Sequence, residues 1–202
     1  MAEKVVLGLS GGMDSAYAAL KLKEAGYEVI GVNIVMKDSC DCSVKAEALA
    51  KHLGLDYYVI DAKGSFEKHV IRPFANAYVN GLTPNPCVLC NPNVKIKQLF
   101  DVAERFGAER VATGHYSVPV NHNGRYTFAR AVDTHKDQGY FLYGLSQKMI
   151  SKLLMPLGNT LKADIKSYFK NDAEFSMVDG SESTDICFVE KGKYADVVAE
   201  YM

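Results

Sequence analysis

The chain has 202 residues, of which 48% are hydrophobic and 23% charged, so it can bury a core of its own and is not a disordered chain. Its formal net charge of -1 gives no general attraction for nucleic acid, although a local basic face can exist within a neutral total. There is no signal peptide, and no apolar run approaches the roughly 18 residues of a membrane span, so we expect a cytoplasmic protein with no membrane contact.

The first half of the chain alternates apolar strand-like runs with helical spacing. Strands are predicted over 4–9, 28–35, 57–60 and 110–113, and helices over 15–25, 43–53, 66–79 and 94–106. Ser43 and Gly54 are expected to cap the second helix, and Pro73 is a candidate break within the third. Residues 83–92 are rich in turn formers and are expected to form a loop. This alternation predicts an α/β protein, with a Rossmann-like parallel sheet covered by helices on both faces.

The second half departs from this pattern. Residues 117–120 and 126–129 flank Asn121-His122-Asn123-Gly124 and predict a β-hairpin. Beyond Asp133 only short helices are expected, over 147–154, 161–171 and 194–202. We therefore divide the chain into a catalytic domain over 1–145 and a helical extension over 146–202.

A glycine-rich turn, Ser10-Gly11-Gly12-Met13-Asp14-Ser15, lies between the first strand and the first helix. Glycines let the backbone approach an anion, and the N–H groups at a helix start favour phosphate. A plain strand-to-helix turn is the alternative explanation. The turn lacks the lysine of GxxxxGK[ST], so it is a different kind of phosphate loop.

The turn resembles the SGGxDS signature of the PP-loop ATP pyrophosphatases. Further segments are similar, in order, to those of one family among them, the tRNA-specific 2-thiouridylases (MnmA). The similar segments are 83–91 (TPNPCVLCN), 112–116 (ATGHY), 136–138 (KDQ), 140–142 (YFL), 155–158 (MPLG) and 183–188 (STDICF). Together they span nearly the whole chain.

The resemblance implies ATP with Mg²⁺ as cofactors and assigns roles to individual residues. Contacts to ATP are implied for Gly8, Leu9, Ser10, Gly11, Gly12, Met13, Asp14, Ser15, Met36 and Gly114. Contacts to tRNA are implied for Asn85, Pro86, His115, Lys136, Asp137 and Gln138. Cys90 is implied as the nucleophile and Cys187 as the carrier of a persulfide. The implied reaction adenylates a uridine C2 carbonyl with ATP, which turns its oxygen into a leaving group, and then replaces that oxygen with sulfur.

The five cysteines leave the sulfur chemistry open. In a reducing compartment they are expected to be ligands, redox groups or nucleophiles. One well-known form of the family has aspartate where Cys87 stands, so Cys87, Cys90 and Cys187 together suit a [4Fe–4S] cluster. A persulfide and disulfide cycle through Cys90 and Cys187 is the second possibility. The third is a zinc site formed by Cys40, Cys42, Cys87 and Cys90.

The acceptor is also open. The family continues into further small domains that hold tRNA, whereas this chain stops at Met202. A PP-loop sulfurtransferase acting on a small molecule or a free base is therefore the alternative to a tRNA enzyme, and a non-catalytic sulfur carrier is a third hypothesis that the intact SGGMDS loop disfavours. The expected partners are tRNA, a sulfur donor (a cysteine desulfurase, a sulfur carrier or free sulfide) and a second copy in a homodimer.

Overall fold

A computed structural model describes residues 2–38, 42–170, 175, 178, 186–190 and 192–201. Five strands form a parallel sheet and two form a hairpin. The sheet strands are β1 (Lys4–Gly8), β2 (Glu28–Val35), β3 (Asp56–Asp61), β4 (Arg110–Ala112) and β7 (Leu153–Leu154), and the hairpin strands are β5 (Val118–His122) and β6 (Arg125–Ala129).

Seven helical segments accompany these strands in the described part of the chain. Five are regular: α1 (Met13–Glu24), α2 (Cys42–Leu53), α5 (Gln147–Ile150), α6 (Lys162–Lys170) and α7 (Tyr194–Tyr201). Two are continuous through a π turn: α3 runs through Lys63–Phe66, Glu67–Ile71 and Arg72–Val79, and α4 through Pro86–Cys90, Asn91–Lys95 and Ile96–Phe106. Short 3-10 turns cover Gly139–Leu142 and Pro156–Asn159.

The order of the strands in the sheet is β3-β2-β1-β4-β7, with every neighbouring pair parallel. In β1, Leu7 lies opposite Gly31 of β2 on one side and Ala112 of β4 on the other. The chain builds outward from β1 to β3 and then returns to the other side of β1, so the winding reverses between β1 and β4. Ligands of such sheets bind at the carboxyl ends of the strands that flank this reversal.

Alternating side chains of β1 pack into two separate hydrophobic cores, one on each face of the sheet. Val5 and Leu7 pack with α1 and α2 on one face, whereas Val6 packs with the last part of α4 on the other. A third buried cluster joins α3 to the start of α4 and includes Phe66, Val70 and Cys90. The predicted α/β architecture, with helices on both faces of a parallel sheet, is confirmed.

Two predicted elements were wrong. Residues 83–92 are not a loop throughout, because α4 begins at Pro86 and continues to Phe106. Proline is tolerated at a helix start, and Pro92 lies within a π turn, where the regular hydrogen-bond ladder is already interrupted.

The predicted helix over 147–154 ends at Ile150, and Leu153–Leu154 forms an edge strand that pairs with β4. The boundary at residue 145 stays a prediction, although this strand belongs to the main sheet. In the described residues no helix has the length and apolar character needed to cross a membrane.

Candidate active site

The glycine-rich turn follows β1, at the point where the winding reverses. Gly12 is the N-cap of α1 and has extended backbone angles. Ser15 Oγ accepts a hydrogen bond from Ser10 N at 3.2 Å and donates to Gly12 O at 2.9 Å. These bonds hold the loop open around the start of the helix, where unpaired N–H groups favour an anion.

Two glycines of the site permit close packing that other residues would block. Gly11 has φ +78°, and a Cβ there would lie 2.8 Å from both Ala46 N and Lys45 Cβ of α2. At Gly114, after β4, a Cβ would lie 3.1 Å from the Asp14 carbonyl carbon and 3.2 Å from Ser15 N. The structure therefore brings Gly114 against the phosphate loop, and its contact to ATP stays a prediction.

Leu9 and Gly8, also predicted to contact ATP, are tied into the sheet. Leu9 is buried, its N–H donates to Val32 O at 2.8 Å, and its carbonyl accepts from the buried Asn33 side chain at 2.9 Å. Gly8 is the last residue of β1. Their contacts to ATP stay predictions.

A lysine that the sequence analysis missed contacts the phosphate loop. Lys162 Nζ and the Tyr116 hydroxyl each lie 2.6 Å from Asp14 Oδ1. The Lys162 side chain is only 9% exposed, and its backbone N–H donates to Asp133 Oδ2 at 3.0 Å. A buried cation beside an anion-binding loop is a natural phosphate ligand. One local signal existed, because Lys162 begins α6, where the helix dipole disfavours a cation.

The segment after β4 places His115 beside the loop. His115 Nδ1 is 2.9 Å from the buried Thr113 Oγ1. Burial lowers the pKa of His115 to about 3, and the ammonium of Lys95 acts in the same direction. His115 is therefore neutral at physiological pH. Because Nδ1 contacts Thr113, Nε2 is left to donate or accept one further hydrogen bond, according to the tautomer.

The 136–138 segment secures two neighbouring loops. Gln138 Oε1 accepts from Tyr116 N at 3.0 Å, and Gln138 N donates to Tyr116 O at 2.8 Å. Asp137 Oδ2 accepts from Ala131 N at 2.7 Å, and Lys136 N donates to Asp133 O at 3.0 Å. Gln138 and Asp137 thus have clear positioning roles, and the tRNA contacts of all three residues stay predictions.

The two cysteines of the CxxC pair lie on the first turn of α4. Asn85 caps this turn, because its side-chain oxygen accepts a hydrogen bond from Cys87 N at 3.2 Å. Pro86 is buried and Cys87 half-buried, whereas Cys90 is only 5% exposed. The cap that fixes the cysteines is therefore itself one of the predicted tRNA contacts.

Burial keeps these cysteines in the thiol form. It raises the pKa of Cys87, and it raises the pKa of Cys90 to about 11. The Lys95 ammonium, one π turn further along α4, opposes both shifts. Since the thiolate is the nucleophile, the ligand-free site holds Cys90 largely unreactive.

Next to Cys90, Asn91 is 2% exposed and holds two elements together. Its Nδ2 donates to Cys87 O at 3.1 Å and to Phe141 O at 3.2 Å. Its Oδ1 has no hydrogen-bond partner in the described part of the chain. A buried acceptor of this kind suits an N–H donor from a ligand.

The third cysteine approaches from the C-terminal part. The carbonyl of Cys187 accepts from Lys37 Nζ at 2.8 Å, just beyond the end of β2, and its side chain is exposed. Met36, the predicted adenine contact, lies between the two regions, with Cys90 Sγ 3.9 Å from Met36 Sδ. These contacts place Cys90 and the Cys187 backbone near the carboxyl end of β2, and the neighbouring strand β1 leads into the phosphate loop.

The possible metal sites fit these positions unequally. Asp14 Oδ2 makes no hydrogen bond to any described residue, so it can join substrate phosphates in holding Mg²⁺. No three His, Cys, Asp or Glu side chains of the described residues are gathered closely enough to hold a metal ion. Cys87, Cys90 and Cys187 therefore do not form a preassembled cluster site here. The alternative zinc site also needs Cys40 and Cys42. Cys40 and the side chain of Cys42 lie outside the described residues, and so do Ser183, Thr184 and Asp185 of the last motif.

A parallel sheet with a glycine-rich phosphate loop at its winding reversal defines a nucleotide-binding α/β domain. Comparison with known families identifies the family of this domain. Residues 3–191 match the family described as tRNA methyl transferase HUP domain. The chain belongs to this family.

Individual relatives agree with this assignment. The chain is 41% identical to the tRNA-specific 2-thiouridylase MnmA of Sorangium cellulosum, over 98% of its own length and 54% of the relative's. It is 39% identical to the MnmA of Nitratiruptor sp., over 100% of its length and 59% of that protein's. It thus spans somewhat more than half the length of these relatives. Among solved structures, a glutamine-dependent NAD+ synthetase from Acinetobacter baumannii shares the fold, with a TM-score of 0.52, 17% identity, and coverage of 84% of this chain and 28% of that one.

Proposed function

We propose that this chain is the ATP-using domain of a tRNA-uridine 2-sulfurtransferase. The observation that carries the proposal is the meeting, at one edge of the sheet, of an anion-binding loop and three cysteines. Cys90 contacts Met36 at the end of β2, and the phosphate loop follows the adjacent strand β1. The names of the relatives support tRNA as the acceptor, in preference to a small molecule or a free base.

In the proposed reaction, the uridine C2 oxygen attacks the α-phosphorus of ATP, and pyrophosphate leaves. A sulfur nucleophile then adds to C2, the C2–O bond breaks, and AMP leaves with the oxygen. The loop from Ser10 to Ser15 would bind the phosphates, and Asp14 would help to hold Mg²⁺, which would balance their charge.

Lys162 has a defined place in this scheme. Its ammonium is buried and paired with Asp14 in the ligand-free site, 2.6 Å away. If Asp14 and the ATP phosphates held Mg²⁺, the Lys162 ammonium would turn from the Asp14 carboxylate to a phosphate oxygen. The pair would then neutralise the loop before ATP binds and stabilise the developing negative charge afterwards.

For sulfur delivery we propose a persulfide on Cys187. Its terminal sulfur attacks C2, AMP leaves, and the Cys90 thiolate attacks Cys187 Sγ. This frees the 2-thiouridine and leaves a Cys90–Cys187 disulfide, which an external thiol reductant must reduce. The exposed Cys187 suits loading by a sulfur donor, and the buried Cys90 suits a resolving role. A cluster on Cys87, Cys90 and Cys187 is the alternative proposal, and it requires the three thiols to come together on assembly.

The first experiment tests the ATP site. Asp14→Ala and Lys162→Met should each lower tRNA-dependent pyrophosphate release from ATP by a hundredfold or more, because each removes a charge at the phosphates. Lys166→Met, on the same helix, is the control. Unchanged pyrophosphate release in either site variant would contradict the assignment.

The second experiment tests the cysteines. With a cysteine desulfurase and free cysteine as the sulfur source, Mg-ATP and unmodified tRNA, mass spectrometry would count AMP and 2-thiouridine. Cys187→Ser should abolish thiouridine while adenylation, measured as ATP–pyrophosphate exchange, survives. Equal loss of both would make Cys187 structural. Thiouridine formed only after anaerobic reconstitution with iron and sulfide would establish the cluster route instead, and Cys87→Ser would then also be inactive.

The proposed reaction also needs partners for sulfur loading and for tRNA binding. A cysteine desulfurase or a sulfur carrier would transfer persulfide sulfur to Cys187. Free sulfide would load it only by attacking Cys187 Sγ of the Cys90–Cys187 disulfide, with the Cys90 thiolate as the leaving group. A homodimer or another protein would enlarge the tRNA-binding surface. We place the reaction in the cytoplasm, where tRNA is matured. The division into a catalytic domain over 1–145 and an extension over 146–202 that brings Cys187 to the site is part of the same proposal.

A further inference from the structure

A cavity of about 410 Å³ lies outside the phosphate loop and the cysteines, between the hairpin and the segment from Gly139 to Ile150. Its rim carries Arg125 and Arg130 of the hairpin side and Tyr140 and Tyr143 of the opposite side. The two tyrosines are 66% and 68% exposed, which is unusual for large aromatic side chains. We call these four residues the arginine–tyrosine rim.

The rim is built on a fixed support. The side chain of Gln147 in α5 accepts from Tyr126 N at 2.7 Å and donates to Tyr126 O at 2.8 Å. This pair of bonds, like that of a neighbouring strand, links α5 to the hairpin on the two sides of the cavity. The tyrosine rings lie 6.1 Å apart, centroid to centroid. A ligand entering here would meet a surface that is already formed.

The charge of the cavity favours an anion. Arg125 and Arg130 form no ion pair with any residue in the described part of the chain. The one acidic residue of the lining, Asp137, already accepts hydrogen bonds from Ala131 N at 2.7 Å and Gly139 N at 3.2 Å. Two guanidinium groups without an ion pair among the described residues, beside two exposed aromatic faces, are the combination that binds phosphates and stacks bases of unpaired RNA.

The rim is also next to the cysteines. Tyr140 and Tyr143 flank Phe141, whose carbonyl accepts from Asn91 Nδ2 at 3.2 Å, and Asn91 follows Cys90 directly. An RNA strand with one base at Cys90 would therefore continue over this turn.

Resting on the proposed function, we infer that the arginine–tyrosine rim is a subsite for the unpaired RNA strand that adjoins the target uridine. Arg125 and Arg130 bind its phosphates, and Tyr140 and Tyr143 stack on its bases. Neither pair takes part in the chemistry.

The test measures affinity for unmodified tRNA and for a 12-nucleotide oligouridine by fluorescence anisotropy at several salt concentrations. Arg125→Gln with Arg130→Gln should weaken binding about tenfold or more and reduce the slope of log K against log salt by about 1.5. Tyr140→Ala should weaken binding about five- to 150-fold and leave that slope nearly unchanged. Lys51→Gln with Lys170→Gln removes the same charge elsewhere and should change affinity less than twofold.

Each failure has its own signature. Parent-like RNA affinity in both rim variants would overturn the subsite, even if the parent forms thiouridine, and would leave the face to a protein partner. Equal weakening by the lysine control would reduce the effect to net charge and also overturn it. Weakened RNA binding in the rim variants, with no thiouridine from the parent, would uphold the subsite and contradict the proposed function.

Discussion

At the scale of single residues, burial determines which groups of the site can react. Cys90 and His115 both carry strongly shifted pKa values, and desolvation is the larger cause in each. Desolvation disfavours the charged form, so it raises the pKa of the thiol and lowers that of the imidazole. Both groups are therefore neutral around pH 7 before a ligand binds.

His115 gives a prediction about acid stability. Because its pKa falls from 6.5 to about 3 on folding, the unfolded chain binds more protons between these values. The resulting stability is fully present above pH 6.5 and is lost as the pH falls towards 3. His115→Gln should therefore lose less free energy of unfolding than the parent between pH 7 and pH 5, as measured by urea denaturation. His135→Gln, at an exposed position, should lose as much as the parent, and equal losses in the two variants would contradict the lowered pKa of His115.

At the scale of elements, the phosphate loop depends on the close approach of α2. Gly11 combines a positive φ with a neighbouring backbone, whereas Gly26, after α1, has φ +85° and no atom within 4 Å of a Cβ. Substitutions at the two positions therefore distinguish the cost of left-handed backbone strain, present at both, from the cost of steric overlap with α2, present only at Gly11.

Gly26→Ala should cost about 1 kcal/mol of unfolding free energy, from left-handed strain alone. Gly11→Ala should cost about 1–3 kcal/mol more, because α2 must move away from the loop. It should also abolish ATP binding, while Gly26→Ala preserves it. Denaturant titration and calorimetry with Mg-ATP would measure the two effects. Equal costs would show that α2 does not confine the loop.

At the scale of the whole molecule, the C-terminal part completes the site through the turn Pro156–Asn159. Gly158 O accepts from Val132 N at 2.9 Å, and a Cβ on Gly158 would overlap the Ser117 carbonyl oxygen. Lys162 follows shortly after this turn. The docking of the turn on the segment after β4 thus sets the distance from Lys162 to Asp14.

Gly158→Ala should therefore destabilise the fold by about 2 kcal/mol or more and lower the melting temperature by roughly 4–8 °C. It should also weaken ATP binding, because Lys162 is displaced. Gly64→Ala, in a helix with no atom within 4 Å of its Cβ, should be neutral or stabilising by up to about 1 kcal/mol. Thermal unfolding followed by circular dichroism would compare them, and a parent-like melting temperature for Gly158→Ala would contradict the tight docking.

The local sequence was enough to predict the alternation of strands and helices and the position of the glycine-rich loop between the first strand and the first helix. These features depend on local periodicity and on glycine geometry, which are legible in a short window of residues. The ordered motifs added the family, and comparison with known proteins confirmed it.

The remaining features depend on contacts between parts of the chain that are distant in sequence. The two-residue strand Leu153–Leu154 has no local signal, because only pairing with β4 makes it a strand. The prolines of 83–92 read as turn formers, yet packing against α3 and a π turn keep that region helical after Pro86. Lys162 and Asp14 are 148 residues apart in the sequence. Only the folded chain brings their side chains into contact and buries the lysine beside the phosphate loop. The thiol form of Cys90 follows from desolvation, which depends on neighbours that the local sequence does not name.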